Sequence, residues 1–143
     1  MEQCRLCKCT DKPLKESHII PKMFYNALKR NSPTCIMRMA DDPNRGVQDG
    51  LKLPFLCGEC EELFSKYERA FSNRIYQKAI ANDGEIKFES KDDALSYFLL
   101  SVAWRVIKHT RETDKTTLTE CELEKMDGII ETWRRILYDE NME

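Results

Sequence analysis

The clearest pattern in the chain is a stripe of apolar residues that repeats every three to four positions between residues 58 and 81. This spacing places the apolar side chains on one face of an α-helix, and Asn82-Asp83-Gly84 then supplies a stop. We expect one continuous helix over 58–81 with this face turned to the core. Its apolar members are Leu63, Phe64, Tyr67, Phe71, Ile75, Tyr76, Ala79 and Ile80.

Two further helices are predicted downstream. Ser90 and Asp93 resemble a capping box, with Asp in place of the usual Glu, ahead of an almost wholly apolar segment that ends at Val106. We expect this helix to be central in the fold. Thr119 and Glu122 form a second capping pair. The helix after it carries the apolar stripe Met126, Ile129, Ile130, Trp133 and Leu137, and both tryptophans of the chain are expected in the core.

The first half of the chain has shorter elements. Residues 17–21, Ser-His-Ile-Ile-Pro, indicate a strand that a proline ends, and helical spacing follows as far as 31. Turn-forming dipeptides dominate 32–50, with candidate strands at 35–39 and later at 86–88. The pattern predicts a small α+β protein. We assign 1–82 to one unit and 83–143 to a helical support region of the same globular domain.

Composition narrows the class of protein. The chain has 143 residues, of which 41% are hydrophobic and 34% charged, and it contains no apolar run of the roughly 18 residues that a membrane span needs. Its start lacks the pattern of a signal peptide, so we expect a cytoplasmic protein with reduced cysteines. Residues 1–60 carry 10 Lys and Arg against 7 Asp and Glu, too small an excess to predict extended DNA binding.

Two cysteine pairs carry the strongest chemical signal. Cys4-x2-Cys7 and Cys57-x2-Cys60 have the spacing of zinc-binding knuckles, and two such pairs can close a tetrahedral thiolate site around Zn²⁺. The second pair lies at a predicted helix start, where the positive end of the helix dipole stabilises thiolates. The alternative is four buried free thiols.

The other cysteines have weaker patterns. Cys9 is close enough in sequence to compete with Cys7 for a metal ion. Cys35 lies in the irregular segment and Cys121 in the last helix, and we expect each to act as a small buried apolar residue.

The chain has two histidines. His18 stands at the end of the predicted strand between the cysteine pairs, and His109 is expected to follow the central helix. Imidazole titrates near neutral pH, so a histidine held on a rigid strand end can take a proton from water. A structural role is the alternative for His18.

These motifs together resemble the zinc-containing HNH endonucleases. The resemblance covers about residues 4–70 and rests on the two cysteine pairs, on 17–21 and on Leu56 before the second pair. It implies a ββα-metal, treble-clef-like unit clasped by Cys4, Cys7, Cys57 and Cys60. It also implies that His18 is the general base.

In the same family a catalytic divalent ion lies between the residue before that histidine and a residue at the helix start. The family's usual Asp is Ser17 here, and its usual His or Asn is Glu61. The resemblance therefore implies that Glu61 holds Mg²⁺ or Mn²⁺ with the substrate phosphate, and that Ser17 is a weak or indirect ligand. We expect Glu16 on the same face of the strand as His18. We expect Glu68 about two turns after Glu61, on the same side of the helix.

The leading functional hypothesis is a metal-dependent nuclease that cleaves phosphodiester bonds, with DNA favoured over RNA as the partner. The alternative is a non-catalytic zinc module that binds a protein or a nucleic acid, for example in phage or host-defence biology, because treble-clef units serve both purposes. Ser17 in place of Asp favours that alternative. The C-terminal helices are a candidate surface for a protein partner.

Overall fold

The computed structural model describes residues 2–82, 84, 93–113 and 118–139, and over these residues the protein has an α+β fold. The predicted strand at 86–88 and the Ser90 half of the first capping pair lie outside the described residues. The elements in chain order are β1 (Leu14–His18), α1 (Lys22–Asn31), β2 (Met37–Arg38), β3 (Gly46–Val47), β4 (Lys52–Cys57), α2 (Gly58–Phe71), a π-helical turn (Ser72–Tyr76), α3 (Gln77–Ala81), α4 (Asp93–Thr113) and α5 (Glu120–Tyr138).

A two-stranded antiparallel sheet brings distant parts of the first half together. Strand β1 pairs with β4 so that Leu14 lies opposite Cys57 and His18 opposite Lys52. The strand begins three residues earlier than predicted and ends at His18 rather than Ile20, because Pro21 precedes the first residue of α1. A second, shorter antiparallel pair joins β2 and β3, and only two residues of the candidate strand at 35–39 take part in it.

The helix predicted over 58–81 is confirmed as uninterrupted helical backbone. It consists of α2, the π-helical turn and α3 in direct succession. The side chains of Phe64 and Ile75 are buried on its inner face. The π-helical turn shows that one residue is accommodated in this segment beyond the regular helical repeat.

Helix α4 extends seven residues beyond the predicted end at Val106, so His109 lies within the helix and not after it. The predicted end was wrong because polar residues continue the helix through ion pairs. Lys108 pairs with Glu112 one turn later, and Arg111 pairs with Asp127 of α5.

The start of α5 confirms the second capping pair. The backbone N–H of Glu122 donates to Thr119 Oγ1, and the backbone N–H of Thr119 donates to Glu122 Oε2 at 2.8 Å. Two backbone donors at the helix start are thereby satisfied. Cys121, which lies next to Glu122 in sequence, is exposed.

The core is an aromatic cluster to which the hairpin and three helices contribute. Trp104 of α4 is fully buried, and its ring meets Phe55 of β4 and Phe64 of α2 edge-on. Its indole N–H donates to the carbonyl of Ile130 in α5 at 3.1 Å. Trp104 therefore confirms the core prediction, whereas Trp133 is half-buried at the core's margin. Among the described residues, no helix has the length and apolar character needed to cross a membrane.

Candidate metal centre and strand-end site

Four cysteine side chains converge between the N-terminal loop and the start of α2. The Sγ atoms of Cys4, Cys7, Cys9 and Cys57 all lie within 4.8 Å of one another. The Sγ atoms of Cys7 and Cys57 are 3.7 Å apart. A tetrahedral zinc site with Zn–S bonds of about 2.3 Å requires S···S separations of about 3.8 Å, so this group can hold a metal ion.

Cys60 adjoins the same group. Hydrogen bonding from the Cys60 thiol lowers the pKa of Cys4 to about 4. The same contact, with burial and with the thiols of Cys57 and Cys7, raises the pKa of Cys60. Five cysteines thus surround one centre. The ligand set Cys4, Cys7, Cys57 and Cys60 stays a prediction, and the alternative set has Cys9 in place of Cys60.

Local backbone geometry builds the centre from both sides. In the N-terminal loop, Cys4 N–H donates to the carbonyl of Cys9 at 2.9 Å, and Lys8 takes a positive φ of 62° to close the turn. Cys57 is the N-cap residue of α2, which places Cys60 in the first helical turn. The predicted helix start at the second cysteine pair is therefore confirmed.

Cys35 and Cys121 stand apart from this centre. Both were expected to be small buried residues, and both are exposed. The expectation was wrong for Cys121 because it lies on the solvent side of α5. It was wrong for Cys35 because its left-handed backbone, with φ of 53°, places it in an open turn.

His18 makes a close hydrogen-bond contact with a carboxylate at the end of β1. Its Nε2 lies 3.0 Å from Asp49 Oδ1, and Lys52 Nζ lies 2.6 Å from Asp49 Oδ2. The pKa of Asp49 is held well below its usual range, first by the Lys52 hydrogen bond and then by the His18 contact. Asp49 is therefore an anion at neutral pH, fixed between the imidazole and the ammonium group.

Ser17 and Glu61, the two positions that the resemblance assigns to a catalytic ion, are in contact. Ser17 Oγ is fully buried and donates to Glu61 Oε2 at 2.6 Å. Burial raises the pKa of Glu61, and the Ser17 hydrogen bond and the charges of Arg105 and His18 oppose that rise. His18 and Glu61 thus have different hydrogen-bond partners.

The donor atoms at this point are oxygens, in contrast with the sulfur atoms of the cysteine group. A carboxylate and a hydroxyl offer oxygen ligands, which Mg²⁺ and Mn²⁺ prefer, and the Ser17 hydroxyl that donates to Glu61 Oε2 is a neutral group. The soft thiolates of the cysteine group suit zinc instead. Cys57 lies opposite Leu14 at one end of the β1–β4 pair, and Ser17 lies opposite Leu53 near the other end.

Arg105 joins the strand end to two helices. From α4 it donates to the carbonyl of His18 at 3.0 Å and to Glu68 Oε1 at 2.8 Å, and its guanidinium lies over the ring of Phe64 at 5.2 Å. Its side chain is almost fully buried. Glu68 follows Glu61 by about two turns on the same side of α2, as the helical spacing predicted.

Asp49 and Arg105 are the site residues that the sequence argument missed. Asp49 appeared only as part of an Asp-Gly turn. Arg105 appeared only as a charge within an apolar helix. The useful signal for Arg105 was that it is a charged residue within a largely apolar helical segment, because a charged group that is buried in a core needs a partner there.

Comparison of the chain with protein-family models, with curated proteins and with solved structures finds no match.

Proposed function

We propose that the protein is a metal-dependent nuclease of HNH type that hydrolyses phosphodiester bonds, with His18 as general base. The observation that carries the proposal is the His18–Asp49 contact at 3.0 Å at the end of β1. A histidine fixed by a carboxylate, beside a cationic side chain and at a partly exposed strand end, has the elements of general-base catalysis on a phosphate.

The contact with Asp49 determines which ring nitrogen of His18 acts. Asp49 is ionised and can only accept, so His18 Nε2 carries the proton and Nδ1 holds the free lone pair. Nδ1 then takes the proton from an attacking water. Asp49 holds the ring in this tautomer and orientation during the transfer.

In this proposal the cysteine centre binds structural zinc, and the β1–β4 hairpin with α2 forms a ββα-metal, treble-clef-like unit. Glu61, with Ser17 beside it, would hold Mg²⁺ or Mn²⁺ together with the substrate phosphate. Such an ion stabilises negative charge that develops on the phosphate and the leaving oxygen. The position of Glu61 near the N-terminus of α2 also favours the negative charge of its carboxylate.

The partner in this proposal is a nucleic acid, with DNA favoured over RNA. Lys52 lies beside the His18–Asp49 pair, and Arg38 and Lys29 lie on the neighbouring surface. Their cationic groups can contact phosphates without reading sequence.

A cleavage assay with the His18→Ala variant tests the proposal, and His109→Ala is the matched control because His109 is the second histidine of the chain and has no role in the proposed reaction. Labelled DNA and RNA oligonucleotides are incubated with Mg²⁺ or Mn²⁺. We expect His18→Ala to abolish cleavage, His109→Ala to preserve it, and both variants to retain zinc and the wild-type melting temperature. Equal cleavage by the two variants would refute the role of His18.

The second candidate is a non-catalytic zinc module that binds a protein or nucleic acid. Ser17 favours it, because a fully buried hydroxyl that donates to Glu61 is a poor ligand for an ion that must exchange waters. Mn²⁺ binding measured by electron paramagnetic resonance separates the candidates. Wild-type protein that binds Mn²⁺ more tightly than Glu61→Gln supports the nuclease, and equal absence of binding at millimolar Mn²⁺ supports the module.

A further inference from the structure

A largely apolar cavity opens beside the His18–Asp49 pair. Its volume is about 450 Å³, which lies within the range of small-molecule and nucleotide sites. Residues from α1, from β2 and β3, and from the segment before β4 form its apolar walls. These residues are Tyr25, Met37, Met39, Val47 and Leu51.

The aromatic wall of the cavity is held by a close backbone approach. A Cβ atom at Gly50 would lie 1.9 Å from the Tyr25 ring, so glycine is required for Tyr25 to occupy this place. The Tyr25 ring centroid is 6.4 Å from that of His18. The cavity and the imidazole are therefore parts of one surface.

Charged groups border the apolar walls. Arg38 and Lys52 line the cavity together with Asp49, whose carboxylate is already bound by His18 and Lys52. An apolar pocket with cations at its rim complements a ligand that has a flat apolar part and an anionic part. A nucleotide has both, whereas an apolar peptide side chain has no anionic group for the rim.

We propose that this cavity binds one unpaired nucleobase of the nucleic-acid substrate. The proposal rests on the nuclease function above and names its substrate class as single-stranded or locally unpaired nucleic acid. The base packs against Tyr25 and the methionines, and its phosphate lies towards Lys52 and His18. Paired bases in a duplex are stacked on their neighbours, so a blunt duplex cannot fill the cavity without losing that stacking.

The test is binding without divalent cations, so that cleavage plays no part. Fluorescence anisotropy is measured with labelled single strands of about 12 nucleotides in DNA and in RNA form, and with the blunt DNA duplex. The variants are Leu51→Glu at the cavity and Leu99→Glu on α4. Both leucines are about half exposed, so the two variants share the same charge change at similar exposure.

We expect wild-type protein to bind the single strand more tightly than the duplex. Leu51→Glu should weaken single-strand binding roughly 10-fold or more, and Leu99→Glu should change it by less than about 2-fold, because base packing on such surfaces accounts for effects of that size. Tyr25→Leu should produce a similar loss with no change in charge. Zinc content and melting temperature of each variant confirm folding, and the DNA and RNA arms identify the preferred strand.

Equal weakening by Leu51→Glu and Leu99→Glu, or equal affinity for single strand and duplex, would overturn the cavity proposal. Preferential binding of an apolar peptide over both strands would also overturn it. The nuclease proposal and the cavity proposal can be refuted independently of each other. A protein that binds single strands through the cavity and cleaves none of them refutes catalysis alone, and one that cleaves with Leu51→Glu unaffected in binding refutes the cavity alone.

Discussion

Asp49 is the residue on which the strand-end site depends, because both of its carboxylate oxygens are engaged. Oδ1 contacts His18 Nε2 and accepts from the Gly50 backbone N–H at 2.9 Å, and Oδ2 contacts Lys52. The carboxylate therefore fixes the imidazole tautomer and keeps the ammonium beside it. In the proposed reaction neither effect requires Asp49 to touch the substrate, so Asp49 would act as a positioning residue.

The Asp49→Asn variant tests this positioning role. An amide can present either a donor or an acceptor to Nε2, so the imidazole loses its fixed tautomer, and we expect cleavage to fall by about 10²- to 10⁴-fold. Asp41→Asn, at an exposed loop position, is the matched control. The measurements are kcat/KM on a single-stranded oligonucleotide and its pH profile. A merely structural role would lower stability and leave the shape of that profile unchanged.

Asp49 also makes stability depend on pH. Its pKa is lowered in the folded protein by Lys52 first and by His18 second. A carboxyl group with a lowered folded pKa stabilises the fold above its unfolded pKa of about 4 and loses that contribution as pH falls through the folded value. We expect wild-type protein to exceed Asp49→Asn in free energy of unfolding at pH 7.

The difference between the two proteins should shrink steadily below about pH 4. Urea unfolding from pH 7 to pH 3 measures it, and comparing the two proteins cancels the effect of acid on the cysteine centre, which both retain. A difference that stays constant over this range would show that the Asp49 charge is not its cause.

Among the secondary-structure elements, sequence pattern predicted the helices better than the strands. The stripe over 58–81 and the Thr119–Glu122 cap were sufficient, because helical contacts are local and repeat every 3.6 residues. The β1–β4 pairing joins residues about 40 positions apart, and a five-residue strand has too few positions to indicate its partner. The sequence thus predicted a strand that contains His18, although the strand ends at His18 and not at Ile20, and it did not indicate that Asp49 lies beside His18.

Burial within α2 and the π-helical turn predicts the energetic ranking of two phenylalanines. Phe64 is almost fully buried against Trp104, so Phe64→Ala should lower the free energy of unfolding by about 3–5 kcal/mol. Phe71 is half-buried and stacks on Phe98 with ring centroids 4.1 Å apart, so Phe71→Ala should cost about 2 kcal/mol. Chemical denaturation at saturating zinc measures both, and a larger loss for Phe71 would contradict the ranking.

At the scale of the whole molecule, two buried arginines connect the C-terminal helices to the first half of the chain. Arg105 reaches the carbonyl of His18, and Arg134 of α5 donates to the carbonyl of Leu6 at 3.0 Å. Leu6 lies between the cysteines of the N-terminal loop. The helices therefore hold both the strand end and the cysteine loop, which sequence alone could not show because the arginines are 87 and 128 positions from these partners.

The cysteine centre joins the N-terminal loop to the start of α2, and the variants described below identify its four metal ligands. Cys60 is buried and its thiol interacts with Cys4, Cys57 and Cys7, whereas Cys9 is half-exposed with its Sγ 3.2 Å from that of Cys7. Buried thiolates without a metal are unfavourable, so ligation and folding are coupled.

We expect Cys9→Ser to bind one zinc ion and unfold cooperatively, and Cys60→Ser to lose zinc and cooperative unfolding. Elemental analysis and thermal melts of both variants, with Cys121→Ser as the control at an exposed cysteine, measure this outcome. Retention of zinc by Cys60→Ser together with its loss from Cys9→Ser would assign the fourth ligand to Cys9. Retention by both would mean that either thiol can complete the site, because five sulfur donors would then share four positions around the ion.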